Sequence, residues 1–245
     1  MLINFNHVYK SFFSERAETK VLSDITFDIN ENEIVSILGP SGCGKSTLLN
    51  LINQLSEPTS GEIIRNCNLG YMFQKDCLLP WRTIYKNITL GLEIAKDHSK
   101  ESIEYVKRLM DKYQIKDFAS FYPNEISGGM KQRVALIRTL VLKPDLLLLD
   151  EPFSALDAQT RLSVQEDVYN IIKEENKSAL IVTHDISEAL ALSDKIIILS
   201  PRPTIIKKIL PVSFNHLKPM ERRSDPSFTK YYQDLCKELN VLTQD

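Results

Sequence analysis

Residues 39–47 read GPSGCGKST and match the phosphate-loop pattern G-x-x-x-x-G-K-[ST] at each fixed position. Glycines allow such a loop to curl, so that successive backbone N–H groups point inward at an anion. The Lys45 ammonium can reach the β- and γ-phosphates of a nucleotide, and the Ser46 hydroxyl can bind Mg²⁺. The sequence therefore predicts a nucleoside triphosphate site, formed by Gly39, Pro40, Ser41, Gly42, Cys43, Gly44, Lys45, Ser46 and Thr47.

The segments on either side of this loop are those that the motif requires. Residues 34–38 (IVSIL) are typical of a buried strand, and residues 48–52 (LLNLI) predict the first turns of a helix. The N-terminus of that helix would add its partial positive charge to the anion site. We interpret the segment as the strand–loop–helix unit of a nucleotide-binding domain.

A second apolar run, residues 146–149 (LLLL), ends in two carboxylates. Asp150 is expected to hold Mg²⁺ with Ser46, and Glu151 to lie near the γ-phosphate and polarise an attacking water. His184 follows another apolar run and can orient that water, while the Gln74 amide can bind Mg²⁺ or the water. Taken alone, His184 is interpreted more simply as a surface or core histidine, so its assignment depends on the whole set.

Residues 126–133 (ISGGMKQR) narrow the class, because phosphate loops also occur in kinases, GTPases and many ATPases. A serine and two bare glycines at the start of a helix form a second anion site. With this segment the sequence resembles the ATP-binding cassette (ABC) family of transport ATPases over residues 5–210. The resemblance is carried by the phosphate loop, Gln74, residues 127–132, residues 150–152 (DEP), residues 154–157 (SALD) and His184.

The resemblance implies a homodimer, since two cassettes of this family pack head to tail around ATP. In such a dimer, ATP held by one copy is closed off by residues of the other, here Ser127, Gly128, Gly129 and Gln132. The resemblance places the dimer interface at Ser154, Ala155, Leu156 and Asp157.

The family also stacks an aromatic ring of its first β segment on the adenine. Phe12 matches that position best, with adjacent Phe13 as an alternative, and either ring could instead belong to the core. The implied cofactors are ATP and Mg²⁺, with the metal held by Ser46, Gln74 and Asp150.

Residues 78–83 (LLPWRT), which follow Gln74, and residues 200–203 (SPRP) resemble the importer branch for nitrate, sulfonates, taurine and related solutes. We expect Leu78, Leu79 and Trp81 to form an exposed apolar patch that docks a cytoplasmic helix of a membrane permease. A locally buried loop is the alternative. The resemblance further implies an extracellular solute-binding protein, and a peripheral location of the chain at the cytoplasmic face of the cell membrane.

Composition limits the function classes. The chain has 245 residues, 43% of them hydrophobic, which is enough for a sizeable core. Its net charge of −2 lacks the basic excess of a nucleic-acid-binding protein, so no nucleic-acid partner is expected. No stretch approaches the roughly 20 apolar residues that cross a bilayer, and the N-terminus lacks a signal-peptide core.

The predicted fold is α/β: a P-loop NTPase cassette with a mainly parallel core sheet, an N-terminal antiparallel β subdomain and an inserted α-helical subdomain. Apolar runs at 146–149, 179–183 and 195–199 are typical of a parallel sheet covered on both faces. We assign residues 1–210 to the cassette, about 84–135 of them to the helical insertion, and 211–245 to a short helical tail. The last helix, with apolar residues up to Leu242, is expected to pack on its own domain.

The predicted function is ATP hydrolysis that drives import of a small solute through a permease. A cassette of an exporter and a soluble ABC ATPase acting on ribosomes or nucleic acid are the alternatives; a P-loop kinase or GTPase disagrees with residues 127–129. The solute is not encoded here, because in this architecture the permease and the binding protein contact it.

Overall fold

The computed structural model describes residues 1–14, 17–214 and 217–239. Three strands near the N-terminus form an antiparallel sheet in the order β2-β1-β4: β1 (Ile3–Phe13), β2 (Glu18–Ile29) and β4 (Ser60–Arg65). One face of this sheet is apolar, and its Phe5 and Phe27 rings stack with centroids 4.6 Å apart. The predicted N-terminal antiparallel region is confirmed.

A six-stranded sheet lies at the centre of the molecule, in the order β5-β6-β7-β3-β8-β9. Its strands are β3 (Ile34–Leu38), β5 (Leu69–Met72), β6 (Leu146–Asp150), β7 (Ser178–Thr183), β8 (Lys195–Leu199) and β9 (Ile206–Pro211). The first five pair in parallel, and β9 adds an antiparallel edge. Every residue of β3 and β7 is buried, as expected for strands covered on both faces.

Nine α-helices cover the sheet or lie beside it within the described ranges. They are α1 (Lys45–Ile52), α2 (Ile84–Ile88), α3 (Leu90–Ile94), α4 (Lys100–Lys112), α5 (Gly128–Leu140), α6 (Ala158–Glu174), α7 (Ile186–Leu192), α8 (Pro219–Ser224) and α9 (Pro226–Glu238). Short 3-10 turns occur at Lys116–Phe118 and Pro123–Glu125. None of these helices is long and apolar enough to cross a bilayer.

Side chains just before several helices satisfy backbone N–H groups that the first helical turn leaves unpaired. Ser99 accepts from the backbone N–H of Ser102 at the start of α4, and Asp157 accepts from that of Thr160 at the start of α6. Helices α2, α4 and α5 share one apolar core with strand β6 and helix α6, so this region packs on the central sheet.

The C-terminal helices pack on the same molecule, as expected. Phe228, Leu235 and Cys236 of α9 are buried against α7 and β8. The buried Arg222 of α8 donates to the carbonyls of Ser193 and Leu217. Leu242, which the sequence also assigns to this helix, lies outside the described residues.

Candidate active site

The phosphate loop connects β3 to α1, as the sequence predicts. Gly44, just before α1, has φ +114°, a conformation that side chains rarely adopt. A Cβ atom there would also lie 2.9 Å from Val21 and 3.1 Å from Leu22, so the position requires glycine twice over. The loop is thereby pressed against β2.

Lys45 is folded back onto the loop. Its buried ammonium donates to the carbonyl oxygens of Gly39, at 2.8 Å, and Pro40, at 3.1 Å. These two carbonyls hold the charge within reach of the cleft described next. An incoming phosphate would replace neutral acceptors with charged ones, which bind an ammonium more strongly.

A cleft of about 190 Å³ lies in front of the loop, and its lining unites segments that are far apart in sequence. The lining residues are Ser41, Gly42, Gly44, Lys45, Ser46, Thr47, Gln74, Asp150, Glu151, Val182 and Arg202. Of the other loop residues, Gly39 and Pro40 act through Lys45. Cys43 is buried, and burial raises the pKa of its thiol.

Glu151 is the point at which the predicted catalytic side chains meet. Its Oε2 accepts from Gln74 Nε2 at 2.9 Å, and its Oε1 lies 3.3 Å from His184 Nδ1. The backbone of Glu151 has φ +43°, an unusual value that ends the strand and turns the side chain into the cleft. The structure therefore brings Gln74, Glu151 and His184 together, on segments that follow β5, β6 and β7.

Asp150 has a partner that sequence reasoning missed. The Tyr71 hydroxyl on β5 donates to Asp150 Oδ2 at 3.2 Å. Burial raises the pKa of the Asp150 carboxyl, and the hydrogen bond from Tyr71 and the charge of Lys45 oppose that rise. Burial and the adjacent carboxylate raise the pKa of the Tyr71 phenol. No sequence pattern marks Tyr71, because only the order of the strands in the sheet places β5 beside β6.

The donors in this cleft suit a magnesium ion. Ser46, Gln74 and Asp150 offer a hydroxyl, an amide carbonyl and a carboxylate, and hard oxygen ligands are those that Mg²⁺ prefers. No cluster of three or more His, Cys, Asp or Glu side chains that could hold a metal occurs among the described residues. With three protein donors and a single carboxylate among them, ligation by the protein would be sparse, as in sites where substrate phosphates and water complete the shell.

Ser127 and the two glycines after it, at the start of α5, lie outside the phosphate-loop cleft. Ser127 Oγ caps the helix by accepting from the backbone N–H of Met130 at 3.4 Å. A Cβ at Gly129 would lie 3.1 Å from both Thr160 and Val164, which explains how closely α5 approaches α6. Ser127 and Gly129 line a separate cleft of about 300 Å³ that shares no lining residue with the phosphate-loop cleft.

Two residues predicted to lie at the nucleotide or at the dimer interface are buried instead. Gln132 is only 3% exposed, on the inner face of α5, and contact of its side chain with ATP stays a prediction. Leu156 is also buried and faces Gly128, where it contributes packing instead of exposed surface. Ser154, Ala155 and Asp157 remain exposed.

The predicted adenine contact lies at the end of β1. Phe12 and Phe13 are both exposed, so neither ring belongs to the core. The Lys10 ammonium lies 5.0 Å from the centroid of the Phe12 ring, a cation–π contact. Neither phenylalanine lines the phosphate-loop cleft.

The apolar segment after Gln74 is only partly exposed. Trp81 is 72% exposed, but Leu78 is 8% exposed and packs in the core shared by α2, α4 and α5. The expectation of an exposed patch is therefore wrong for Leu78, because its side chain joins this buried core. Leu79 is half-buried, and its backbone N–H donates to Asn87 Oδ1 at 2.7 Å.

A parallel sheet with a phosphate loop on one strand, and with Asp150 and Glu151 at the end of another, defines a P-loop nucleoside triphosphatase. Comparison with known proteins supports this class. The family described as "ABC transporter" matches residues 22–154, more than half of the chain. The "Uncharacterized ABC transporter ATP-binding protein YtlC" of Bacillus subtilis is 44% identical, covering 98% of this chain and 96% of that protein.

Two further relatives are informative. The "Aliphatic sulfonates import ATP-binding protein SsuB" of Bacillus anthracis is 39% identical over 93% of this chain and 92% of its own length. The dimeric, post-hydrolysis structure of the cassette MJ0796 bound to ADP and Pi superposes with a TM-score of 0.71 at 30% identity, covering 87% of this chain and all of that one. The chain belongs to the ABC transporter family, and it is the nucleotide-binding ATPase subunit of such a transporter.

Proposed function

We propose that this chain, as a pair of identical subunits, hydrolyses ATP to drive import of a small solute of the nitrate, sulfonate or taurine type through a membrane permease. The observation that carries the proposal is the separation of two half-sites: the phosphate-loop cleft and the cleft at Ser127 and Gly129. A second copy, packed head to tail, would join the two halves around one nucleotide. The dimeric cassette structure and the sulfonate-import relative support this assembly.

In the proposed site each residue has a defined task. The phosphate-loop amides and Lys45 bind the β- and γ-phosphates. Glu151 accepts a hydrogen bond from the attacking water and polarises it. Mg²⁺, when bound at Ser46, Gln74 and Asp150, would neutralise charge that develops on the phosphates. His184, beside Glu151 Oε1, orients the water, and Phe12 stacks on the adenine. Ser127 and Gly128 of the second copy would close the site.

The segment between Gln74 and Trp81 offers a route from this site to a permease. Gln74 hydrogen-bonds to Glu151 at one end of the segment, and Trp81 lies exposed at the other. Arg138 of α5 donates to the carbonyls of Asp76, at 2.6 Å, and Cys77, at 2.8 Å. The segment is thereby attached to the helix that Ser127 caps. We infer that Leu79 and Trp81 contact a cytoplasmic helix of the permease.

We also propose that residues 1–210 form the cassette, with an inserted helical region at about 84–135, and that residues 211–245 form the tail. We propose that the chain lies peripherally at the cytoplasmic face of the membrane, and that an extracellular solute-binding protein is a further partner. Aliphatic sulfonates are the solute class that the SsuB relative suggests.

The test is transport by the reconstituted complex of this subunit with its permease and binding protein. Sulfonates, nitrate and pyrimidines are compared for their ability to stimulate ATPase activity, and Trp81→Ala is compared with Leu55→Ala, an equally exposed apolar residue elsewhere. Trp81→Ala should abolish most uptake while ATP binding and basal hydrolysis persist, and Leu55→Ala should change neither. Normal uptake by Trp81→Ala would contradict the docking role, and stimulation by neither sulfonates nor nitrate would contradict the proposed solute class.

A further inference from the structure

The loop between β8 and β9, residues 200–205, lies against the phosphate loop. Strand β8 pairs with β3, so the two loops leave neighbouring strands at the same edge of the sheet. The approach is close: a Cβ atom on Gly39 would lie 3.0 Å from the Cβ of Leu199, the last residue of β8. Loops at this edge of a parallel sheet are where ligands bind.

Hydrogen bonds fix the ends of the 200–205 loop to each other. The backbone N–H of Ser200 donates to the carbonyl of Ile205 at 3.0 Å. In return, Ser200 Oγ accepts from the backbone N–H of Ile205 at 2.9 Å. The loop is therefore a closed turn with a defined shape.

Thr204 attaches this turn to the phosphate loop itself. Its side chain is fully buried, and its hydroxyl donates to the carbonyl of Cys43, a residue of the phosphate loop. Its backbone N–H donates to the Val21 carbonyl at 2.9 Å, and its carbonyl accepts from Ser23 at 2.8 Å. Thr204 thus joins three segments: the 200–205 turn, strand β2 and the phosphate loop.

The turn presents Arg202 to the nucleotide cleft. Arg202 lines the cleft together with Ser41, Gly42 and Lys45. Burial raises the pKa of the Cys43 thiol in the phosphate loop, and the positive charge of Arg202 partly opposes that rise. Nothing in the functions assigned above uses this cation.

The order of the strands indicates which part of a nucleotide Arg202 would meet. Glu151 and His184 follow β6 and β7, on one side of β3, whereas Arg202 follows β8 on the other side. Because Glu151 and His184 act at the γ-phosphate, the opposite side of the loop serves the remainder of the phosphate chain, which ATP and ADP share. A guanidinium there can form charge-assisted hydrogen bonds to phosphate oxygens.

We infer that Arg202 is a further nucleotide-binding residue, contacting the phosphates common to ATP and ADP, and that Thr204 positions it by anchoring its turn to the phosphate loop. The inference rests on nucleotide binding at the phosphate loop. Lys45→Ala tests that assignment independently, since it should abolish binding whatever Arg202 does.

The experiment measures dissociation constants of the full chain for ADP and for a non-hydrolysable ATP analogue, in the presence of Mg²⁺. Arg202→Ala should weaken both by a similar factor of about two to five, the size expected for one charge pair exposed to water. Lys100→Ala, which removes an exposed cation on α4, should leave both unchanged. Unchanged affinity in Arg202→Ala, or a loss confined to the triphosphate, would overturn the assignment.

The positioning role of Thr204 has its own test. Thr204→Val removes the hydroxyl and should weaken binding of both nucleotides, while Thr204→Ser should retain wild-type affinity. In the double variant with Arg202→Ala, the valine substitution should add little, because the residue that it positions is already gone. Thermal unfolding of each variant checks the fold, and fully additive effects would show that Thr204 acts independently of Arg202.

Discussion

Glu151 is the residue on which the chemistry converges. One carboxylate oxygen accepts from Gln74 and the other lies beside His184, so the group proposed to polarise water is held by residues that follow the two neighbouring strands. Because the backbone of Glu151 is left-handed, its side chain points in a different direction from that of the preceding residue, Asp150. Two consecutive carboxylates can thereby serve different partners, the metal and the water.

Tyr71 should set the acid limit of activity. Its hydrogen bond stabilises the charged form of Asp150, whose pKa burial raises. Tyr71→Phe removes that hydrogen bond, so the pKa of Asp150 should rise further and protonation should compete with metal binding at higher pH. The acid limb of the pH–rate profile should move upward by about half to one pH unit, since one hydrogen bond contributes about 1 kcal/mol.

The measurement is the steady-state ATPase rate between pH 5 and pH 8 at saturating ATP and a Mg²⁺ concentration below saturation, because excess metal would displace the competing proton. Nucleotide affinity in EDTA serves as the control, because without metal the phenol should not matter. An acid limb at the wild-type pH would show that Tyr71 does not act on Asp150.

Among the residues of the site, the sequence could identify those that belong to a recognisable motif. Lys45, Ser46, Asp150 and Glu151 could be identified from residue type and spacing alone, and the structure brings them into one cleft. Tyr71 and Arg202 could not, because only the sheet order places β5 beside β6 and β8 beside β3. Their contributions depend on neighbours that are distant in sequence.

Among the elements, α4 and α6 are joined by a cluster of polar contacts centred on one carboxylate. Glu175, just after α6, accepts from the Tyr105 and Tyr113 hydroxyls at 3.3 Å, from Arg108 at 3.2 Å and from Lys112 at 3.0 Å. Burial alone would raise the pKa of this carboxyl, but its cationic and hydroxyl partners outweigh that effect and lower the pKa. The helical region is thus held to the sheet-packed helix α6 by a partly desolvated charge.

Glu175→Gln should destabilise the chain much more than Glu174→Gln. The two carboxylates share Lys112 at 3.0 Å, but the Glu175 side chain is 7% exposed and that of Glu174 is 50% exposed. Removing the buried charge should cost about 2 kcal/mol of unfolding free energy, and removing the exposed one less than about 0.5 kcal/mol.

Urea unfolding at two pH values distinguishes this charge effect from packing. Because the folded-state pKa of Glu175 is lowered, its stabilisation is present above the pKa of the unfolded chain and disappears as the pH falls through the folded-state pKa. The difference between Glu175→Gln and wild type should therefore shrink on going from pH 7 toward pH 3. Equal losses for the two variants at pH 7 would show that the exposed pair stabilises the chain as much as the buried one.

Prediction of the elements succeeded where burial is uniform. Strands β3 and β7 are buried at every residue, so their apolar runs identify them without a partner sequence. Leu78 shows the limit: within the run LLPW it cannot be distinguished from Trp81 by residue type. Its burial is decided by the core of the helical region, which includes Leu78 and leaves Trp81 outside.

For the whole molecule, the fold and family predicted from the motifs are confirmed. Each chain has two separate clefts, one at the phosphate loop and one at Ser127 and Gly129, and we propose that each is half of a nucleotide site. Gln132 and Leu156 were expected at the surface that joins them, yet both lie inside, where they shape α5 and the segment before α6. Sequence alone could not separate the residues that support this surface from those that form it, because both belong to the same short motifs.

The central claim is that ATP joins two copies of this chain, and trapping that state tests it most directly. Glu151→Gln cannot polarise water, so bound ATP should persist and the purified chain should change from a 28.1 kDa monomer to a species of twice that mass on addition of ATP. Adding Ser127→Phe, which blocks the second half-site, should leave the chain monomeric although ATP still binds. A Glu151→Gln chain that stays monomeric with ATP bound, measured by light scattering after gel filtration, would contradict the account.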